Sequence, residues 1–185
     1  MGTKKVLVIL AEGFEEIEAI TPIDVLKRAG LEVTLAGVSS KTVSGAHGIK
    51  FQTDILLDDY KGLPDAVILP GGLPGAKNLA ESPKVVELVK KMNHEKKIIG
   101  AICAAPALVL APSGILNGRK ATCYPGFEKN FSSEVSFSLE RVIVDGHVIT
   151  SRGPGSALEF ALQLVEILAG KETAKSLSQG LLAKV

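Results

Sequence analysis

The sequence predicts an α/β fold, a doubly wound and mostly parallel sheet with helices on both faces. Three observations carry this reading. Short apolar runs of strand type alternate along the chain with longer runs of helical period. The connections between them are short, which packs each element back onto its neighbour. Of the 185 residues, 46% are hydrophobic but only 4% aromatic, enough for one domain with a sizeable aliphatic core.

Lys5–Leu10 reads as the first strand. Its charged start and short apolar run faintly mimic a signal peptide, but no small-residue cleavage site precedes the acidic EGFEEIE segment. Glu15–Ala29 reads as a helix with Ile17, Ile20, Val25 and Leu26 on its inner face, stopped by Gly30. Leu31–Gly37 is the next strand, followed by turn-rich Ser39–Gly48 and an extended segment, Ile49–Leu57. A strand over Asp65–Leu69 runs into Pro70-Gly71-Gly72. Ser82–Asn93 reads as a helix, with Ser82 as its cap and Pro83 in its first position. Ile98–Ile102 is a strand, Pro106–Leu110 a helix and Lys120–Cys123 a short strand. Arg141–Val144 and His147–Ser151 flank Asp145-Gly146, a strong two-residue hairpin signal. Helices over Gly155–Ala169 and Glu172–Leu182 complete the chain. No repeat, linker or low-complexity tract interrupts it, so residues 1–185 are expected to form a single domain.

Lys and Arg (21) nearly balance Asp and Glu (20), leaving a net charge of +1 and no basic run interleaved with aromatics. Nothing therefore points to nucleic acid. No stretch approaches the roughly 18 apolar residues that span a bilayer, so no membrane is expected. With no export signal, Cys103 and Cys123 are expected to be reduced thiols in a cytoplasmic protein. His47, His94 and His147 are not spaced with them for zinc, and no metal is expected.

The chemistry concentrates in residues 97–106. Cys103 falls where a buried strand must end, followed by Ala104, Ala105 and Pro106, which suits a first helical turn. A sulfur there faces unpaired backbone N–H groups, which favour the thiolate and lower the thiol's pKa. It also points to the carboxyl edge of the sheet, where α/β sites form. Two other segments converge on that edge: Gly13–Glu18 after the first strand and Pro70-Gly71-Gly72 after the third. Glu18, one turn into its helix, is either a solvated carboxylate or a proton partner for the sulfur; Glu15 and Glu16 read as solvated. The glycines let backbone approach closely, so the N–H groups of Gly72 and Ala104 could hold a developing oxyanion. Arg152, in Ser151-Arg152-Gly153-Pro154-Gly155, offers either a carboxylate-binding guanidinium or a structural ion pair. Cys123 reads as packing, or as a partner able to resolve an oxidised Cys103. His94 and His147 read as surface residues.

VLVILAEGFEEIEAITPIDVLKRAG, VILPGGLPGAKNL, AICAAP and TSRGPGSALEFAL together resemble the ThiJ/PfpI family, in the branch of the Parkinson-linked protein deglycase and its bacterial relatives. The resemblance runs from about residue 4 to about residue 182, with the motifs in matching order. It implies a flavodoxin-like sandwich of the class I glutamine amidotransferase type, usually a homodimer, with the cysteine on a strained strand-to-helix elbow. Carried over by position, it makes Cys103 the nucleophile, Glu18 the carboxyl bonded to its sulfur, and Gly72 with Ala104 the amide pair. Gly71, Tyr124, Arg152 and His47 are further pocket candidates. The implied chemistry is cofactor-free: glyoxalase or deglycase action on methylglyoxal, glyoxal or their early adducts on side chains, a protection against carbonyl and oxidative stress.

Two departures bear on mechanism. Many relatives place a histidine where this chain has Tyr124, and a phenol, ionising near pH ~10, is a poor base at neutrality. Protease-like members place histidine directly after the nucleophile where this chain has Ala104, so a peptidase lacks its base. His47 falls where close relatives offer a partner-subunit arginine, with a gap of one residue. Against the enzyme stands a second reading, a redox sensor or holdase chaperone that uses oxidation of the same cysteine.

Overall fold

The computed structural model describes residues 2–184. Five parallel strands build its centre: β1 (Lys5–Leu10), β2 (Glu32–Gly37), β5 (Ile55–Leu56), β6 (Ala66–Leu69) and β7 (Ile98–Ile102). The remaining pair is the hairpin of β10 (Val142–Asp145) and β11 (Val148–Ser151), turning at Asp145-Gly146 as its dipeptide predicts. β11 lies parallel to β7, so the order across the seven strands is β10-β11-β7-β6-β1-β2-β5. Only β10 runs against the rest. Val6–Leu10 and Ala66–Leu69 are buried throughout, as strands covered on both faces must be.

Helix α1 (Glu16–Arg28) packs on α4 (Ala157–Ala169), which carries α5 (Lys171–Gly180). A second layer, α2 (Gly75–Glu81) with α3 (Pro83–His94), packs on β1, β6 and β7. The doubly wound, mostly parallel sheet is therefore as expected, and Ser82 caps α3 by accepting from the Val85 N–H at 3.4 Å.

Several elements differ from the expectation. The turn-rich stretch contains β3 (Thr42–Ser44), which pairs antiparallel with β4 (Lys50–Gln52) in a small hairpin of its own. Helix α2 follows the glycine pair directly. Pro106–Leu110 is helical, but as a π-type turn, a form often found at functional sites. β8 is only Lys120–Ala121, paired with β9 (Ser136–Phe137). On α1, Ile17 is 54% exposed, while Glu16 and Glu18 are buried. Val25 and Leu26 are buried as the spacing predicts, so the inner face departs from it only near the helix start, where Glu16 and Glu18 are buried in place of Ile17.

Strand order sets the site. The chain goes from β1 to β2 on one side and returns to β6 on the other, which opens a crevice at the carboxyl ends of β1 and β6. Register brings Leu69 of β6 beside Ala101 of β7, and Ile102 beside Ser151 of β11. The segments that follow these strands meet at one edge.

Candidate active site

Cys103 follows β7 with φ at +65°, a left-handed conformation that costs a non-glycine residue on the order of 1–3 kcal/mol. Its neighbours hold it there: its N–H donates to the Ser151 carbonyl at 2.9 Å, and its carbonyl accepts from the Tyr124 N–H at 2.8 Å. The elbow turns the side chain toward Gly71, Gly72 and Glu18. Gly71 is required by proximity, because a Cβ there would lie 2.6 Å from both the Cys103 Cβ and Glu18 Oε2. Gly72 is required by its φ of +84° and by the Glu15 nitrogen, 2.4 Å from where its Cβ would stand. The backbone N–H groups of Gly72 and Ala104 favour the ionised sulfur.

Glu18 is fully buried. Its Oε2 accepts from the Gly71 N–H at 2.9 Å. Oε1 is buried without a hydrogen-bond partner among the described residues, and the carboxyl and the Cys103 side chain both stand against Gly71. Burial pushes the carboxyl up to about 7; the Glu15 charge adds to this, and the bonds to Cys103 and Gly71 oppose it. The thiol departs from expectation. Burial, joined by the Glu18 charge, drives its pKa upward, and the two amide donors do not offset this. While Glu18 is ionised, Cys103 is held as the thiol; a thiolate forms at the expense of a protonated Glu18. Of the two, Glu18 is the group that titrates near neutrality.

Glu15 and Glu16 are not solvated, contrary to expectation. Glu15 caps α1, its Oε2 accepting from the Glu18 N–H at 2.7 Å. Oε1 of Glu16 accepts from the His47 N–H at 2.8 Å and the Ile49 N–H at 3.4 Å, and its Oε2 meets His47 Nδ1 at 2.8 Å. Burial would raise the Glu16 carboxyl, but these bonds outweigh it and hold it below the usual range. The same contact raises the exposed His47 ring. Ligand atoms of Glu15, Glu16 and His47 lie within 4.8 Å of one another, a grouping the sequence reading did not foresee.

A cavity of about 260 Å³ reaches the sulfur. Glu15, Glu18, Gly72, Cys103, Ala104 and Tyr124 line it, together with Leu73, Phe127 and Pro154, which sequence reasoning missed. Cys103 is 8% exposed, so the sulfur is screened without being sealed. Of the further pocket candidates, Tyr124 lines the cavity, whereas Gly71, His47 and Arg152 do not. Arg152 Nη1 is buried without a hydrogen-bond partner among the described residues. Cys123 is fully buried; burial and the Glu128 charge raise its thiol to about 12, against the pull of Arg152. That suits packing. His147 is half-buried rather than superficial, its Nε2 2.8 Å from Asn93 Oδ1.

An elbow cysteine facing a buried carboxyl and paired amides, at the carboxyl edge of a doubly wound sheet, defines a class of cysteine-centred α/β proteins. Within it, the DJ-1/PfpI family model matches residues 4–167, and the chain belongs to that family. A glutathione-independent glyoxalase of Caenorhabditis elegans, DJR-1.2, is 42% identical over 176 residues, covering 94% of each chain. Protein DJ-1 homolog B of Arabidopsis thaliana is 44% identical over 179 residues; the match takes in 96% of this chain but only 41% of that protein. Among solved structures, an oxidized DJ-1 of Toxoplasma gondii superposes with a TM-score of 0.93 at 39% identity, covering 99% of this chain and all of that one.

Proposed function

We propose that the protein is a cofactor-free glyoxalase that converts small 1,2-dicarbonyls to 2-hydroxy acids through Cys103 and Glu18. The observation that carries the reading is that these two residues line one cavity, with the Glu18 carboxyl raised to about 7. The Cys103 sulfur adds to the aldehyde carbon as its proton passes through Glu18 to the oxygen, giving a hemithioacetal. The Gly72 and Ala104 N–H groups hold the charge on that oxygen as it develops. Glu18 then removes the proton on the former aldehyde carbon and returns it to the neighbouring carbon, leaving a thioester. A carboxyl poised near neutrality suits both directions of transfer. Water cleaves the thioester, releasing the hydroxy acid and the thiol; one substrate carbon is oxidised and the other reduced, so no external oxidant is needed. The related C. elegans glyoxalase supports this assignment. Early glyoxal adducts on protein side chains present the same carbonyl chemistry and form the deglycase extension of the proposal.

The test is lactate production from methylglyoxal by wild type, Cys103→Ala and Glu18→Ala. Wild type should form lactate, and each variant should lose at least about a hundredfold of kcat/KM, the lower range for removal of an acid–base group. No lactate from wild type discards the enzyme. Undiminished lactate in both variants discards the site. In the first case, peroxide oxidation of Cys103 ahead of the sealed Cys123, read by mass spectrometry, would support the redox-sensing reading instead.

A further inference from the structure

The cavity is larger than the smallest dicarbonyls require. The cavity, about 260 Å³ and open to solvent, leaves space beside a bound methylglyoxal for a larger substituent. Apart from the reacting groups and Glu15, the lining is apolar: Leu73, Tyr124, Phe127 and Pro154. The two rings stand edge to face, with centroids 6.4 Å apart and planes at 71°. Their position relative to the sulfur is fixed by the backbone, since the Tyr124 N–H donates to the Cys103 carbonyl and the Phe127 N–H to the Tyr124 carbonyl. The Tyr124 ring also rests against Gly153, where a Cβ would lie 3.1 Å away. Leu73, 55% exposed, leaves an apolar side chain uncovered beside them.

Charge narrows the choice further. The carboxyls of Glu15 and Glu18 line the cavity, and no Lys, Arg or His does so among the described residues. A substrate carrying its own carboxylate would enter against Glu15, and against Glu18 once it ionises, with no cation lining the cavity to meet it. An uncharged ring would instead exchange water for the aromatic and aliphatic wall.

Resting on the reading of Cys103 and Glu18 given above, we propose that this pocket selects ketoaldehydes with an uncharged aryl substituent over methylglyoxal and over anionic 2-oxo acids. Leu73, Tyr124 and Phe127 are the residues that determine this specificity. Tyr124, which stands where many relatives carry a histidine, serves here as apolar wall. The aryl 2-hydroxy acid formed is an anion, so the acidic cavity that admits the neutral substrate disfavours the product and assists its release.

Two measurements on the full chain separate this proposal from the reaction it rests on. The first compares kcat/KM for phenylglyoxal and methylglyoxal in wild type, Phe127→Ala and Leu73→Ser; Leu73 is exposed enough for its variant to fold. The aryl substrate should be favoured by at least about tenfold, mostly through KM, and both variants should bring the ratio toward one. The second titrates Cys103→Ala by NMR with 2-hydroxyacetophenone, hydroxyacetone and benzoylformate, none of which carries an aldehyde. 2-Hydroxyacetophenone should bind at least about tenfold tighter than either of the others. Turnover of both ketoaldehydes without an aryl preference, or benzoylformate binding as tightly as 2-hydroxyacetophenone, overturns the proposal. Selective binding of 2-hydroxyacetophenone with no hydroxy acid formed from either ketoaldehyde upholds the pocket and overturns the glyoxalase reading.

Discussion

Glu18 pairs a buried carboxyl with a buried thiol, and folding carries a cost for placing it there. In the folded protein it keeps its proton up to about pH 7, against 4.5 when unperturbed, chiefly because burial disfavours the anion. Between those values the native state binds more protons than the unfolded chain. Stability therefore falls as pH rises through that window, and the loss is complete above about 7. A rise of this size corresponds to a loss on the order of 3 kcal/mol. Glu18→Gln keeps an acceptor for the Gly71 N–H without the charge. Urea unfolding should show the variant more stable than wild type at pH 8, by up to that amount, and nearly equal to it at pH 4. An equal difference at both values would mean that the carboxyl is not held protonated.

The element that delivers Glu18 is the first turn of α1, and Glu15 acts on it in two separable ways. Its side chain caps the helix at the Glu18 N–H, and its charge raises the Glu18 carboxyl. Glu15→Ala removes both and should cost about 1 kcal/mol in thermal or urea unfolding. Glu15→Gln retains a capping oxygen and removes only the charge, so the acid limb of the kcat/KM profile should move to lower pH; a shift to higher pH would contradict the charge assignment. The same turn shows what could be read in the chain. Strands β1, β6 and β7 announce themselves as apolar runs, and Gly71, Gly72 and Cys103 stand out because they terminate such runs. The short hairpin of β3 and β4 does not, because its half-exposed three-residue strands carry little apolar alternation. Helix α2 opens on a glycine with no side-chain cap and is divided from α3 only by Ser82. The first turn of α1 departs from its apolar spacing because its buried carboxyls are satisfied from far along the chain: Glu18 by Gly71, and Glu16 by His47 and Ile49. Periodicity sees the apolar Ile17. It does not see the partners that make burial of Glu16 and Glu18 affordable.

At the scale of the whole molecule, the Glu16 contacts also determine what the surface presents. Glu16 bonds the backbone of His47 and Ile49 to the start of α1, and Ile17 and Ile49 are both exposed on these linked segments, beside the helix turn whose Glu15 lines the cavity. Exposed isoleucines on two linked segments beside a reactive pocket are a candidate for a self-complementary contact. If the chain forms the homodimer that the family resemblance implies, this face is the expected interface, each copy covering the other's Ile17 and Ile49. Sedimentation equilibrium at micromolar concentration should then give twice the chain mass for wild type and the chain mass for Ile17→Asp. Leu139→Asp, a substitution at a residue 74% exposed beside the β10 edge, should leave the dimer intact. A monomeric wild type, or a dimer lost equally in both variants, would remove this face as the interface; dissociation confined to Ile17→Asp would tie assembly to the turn that carries Glu18, so that diluting the protein should lower its specific activity along with its mass.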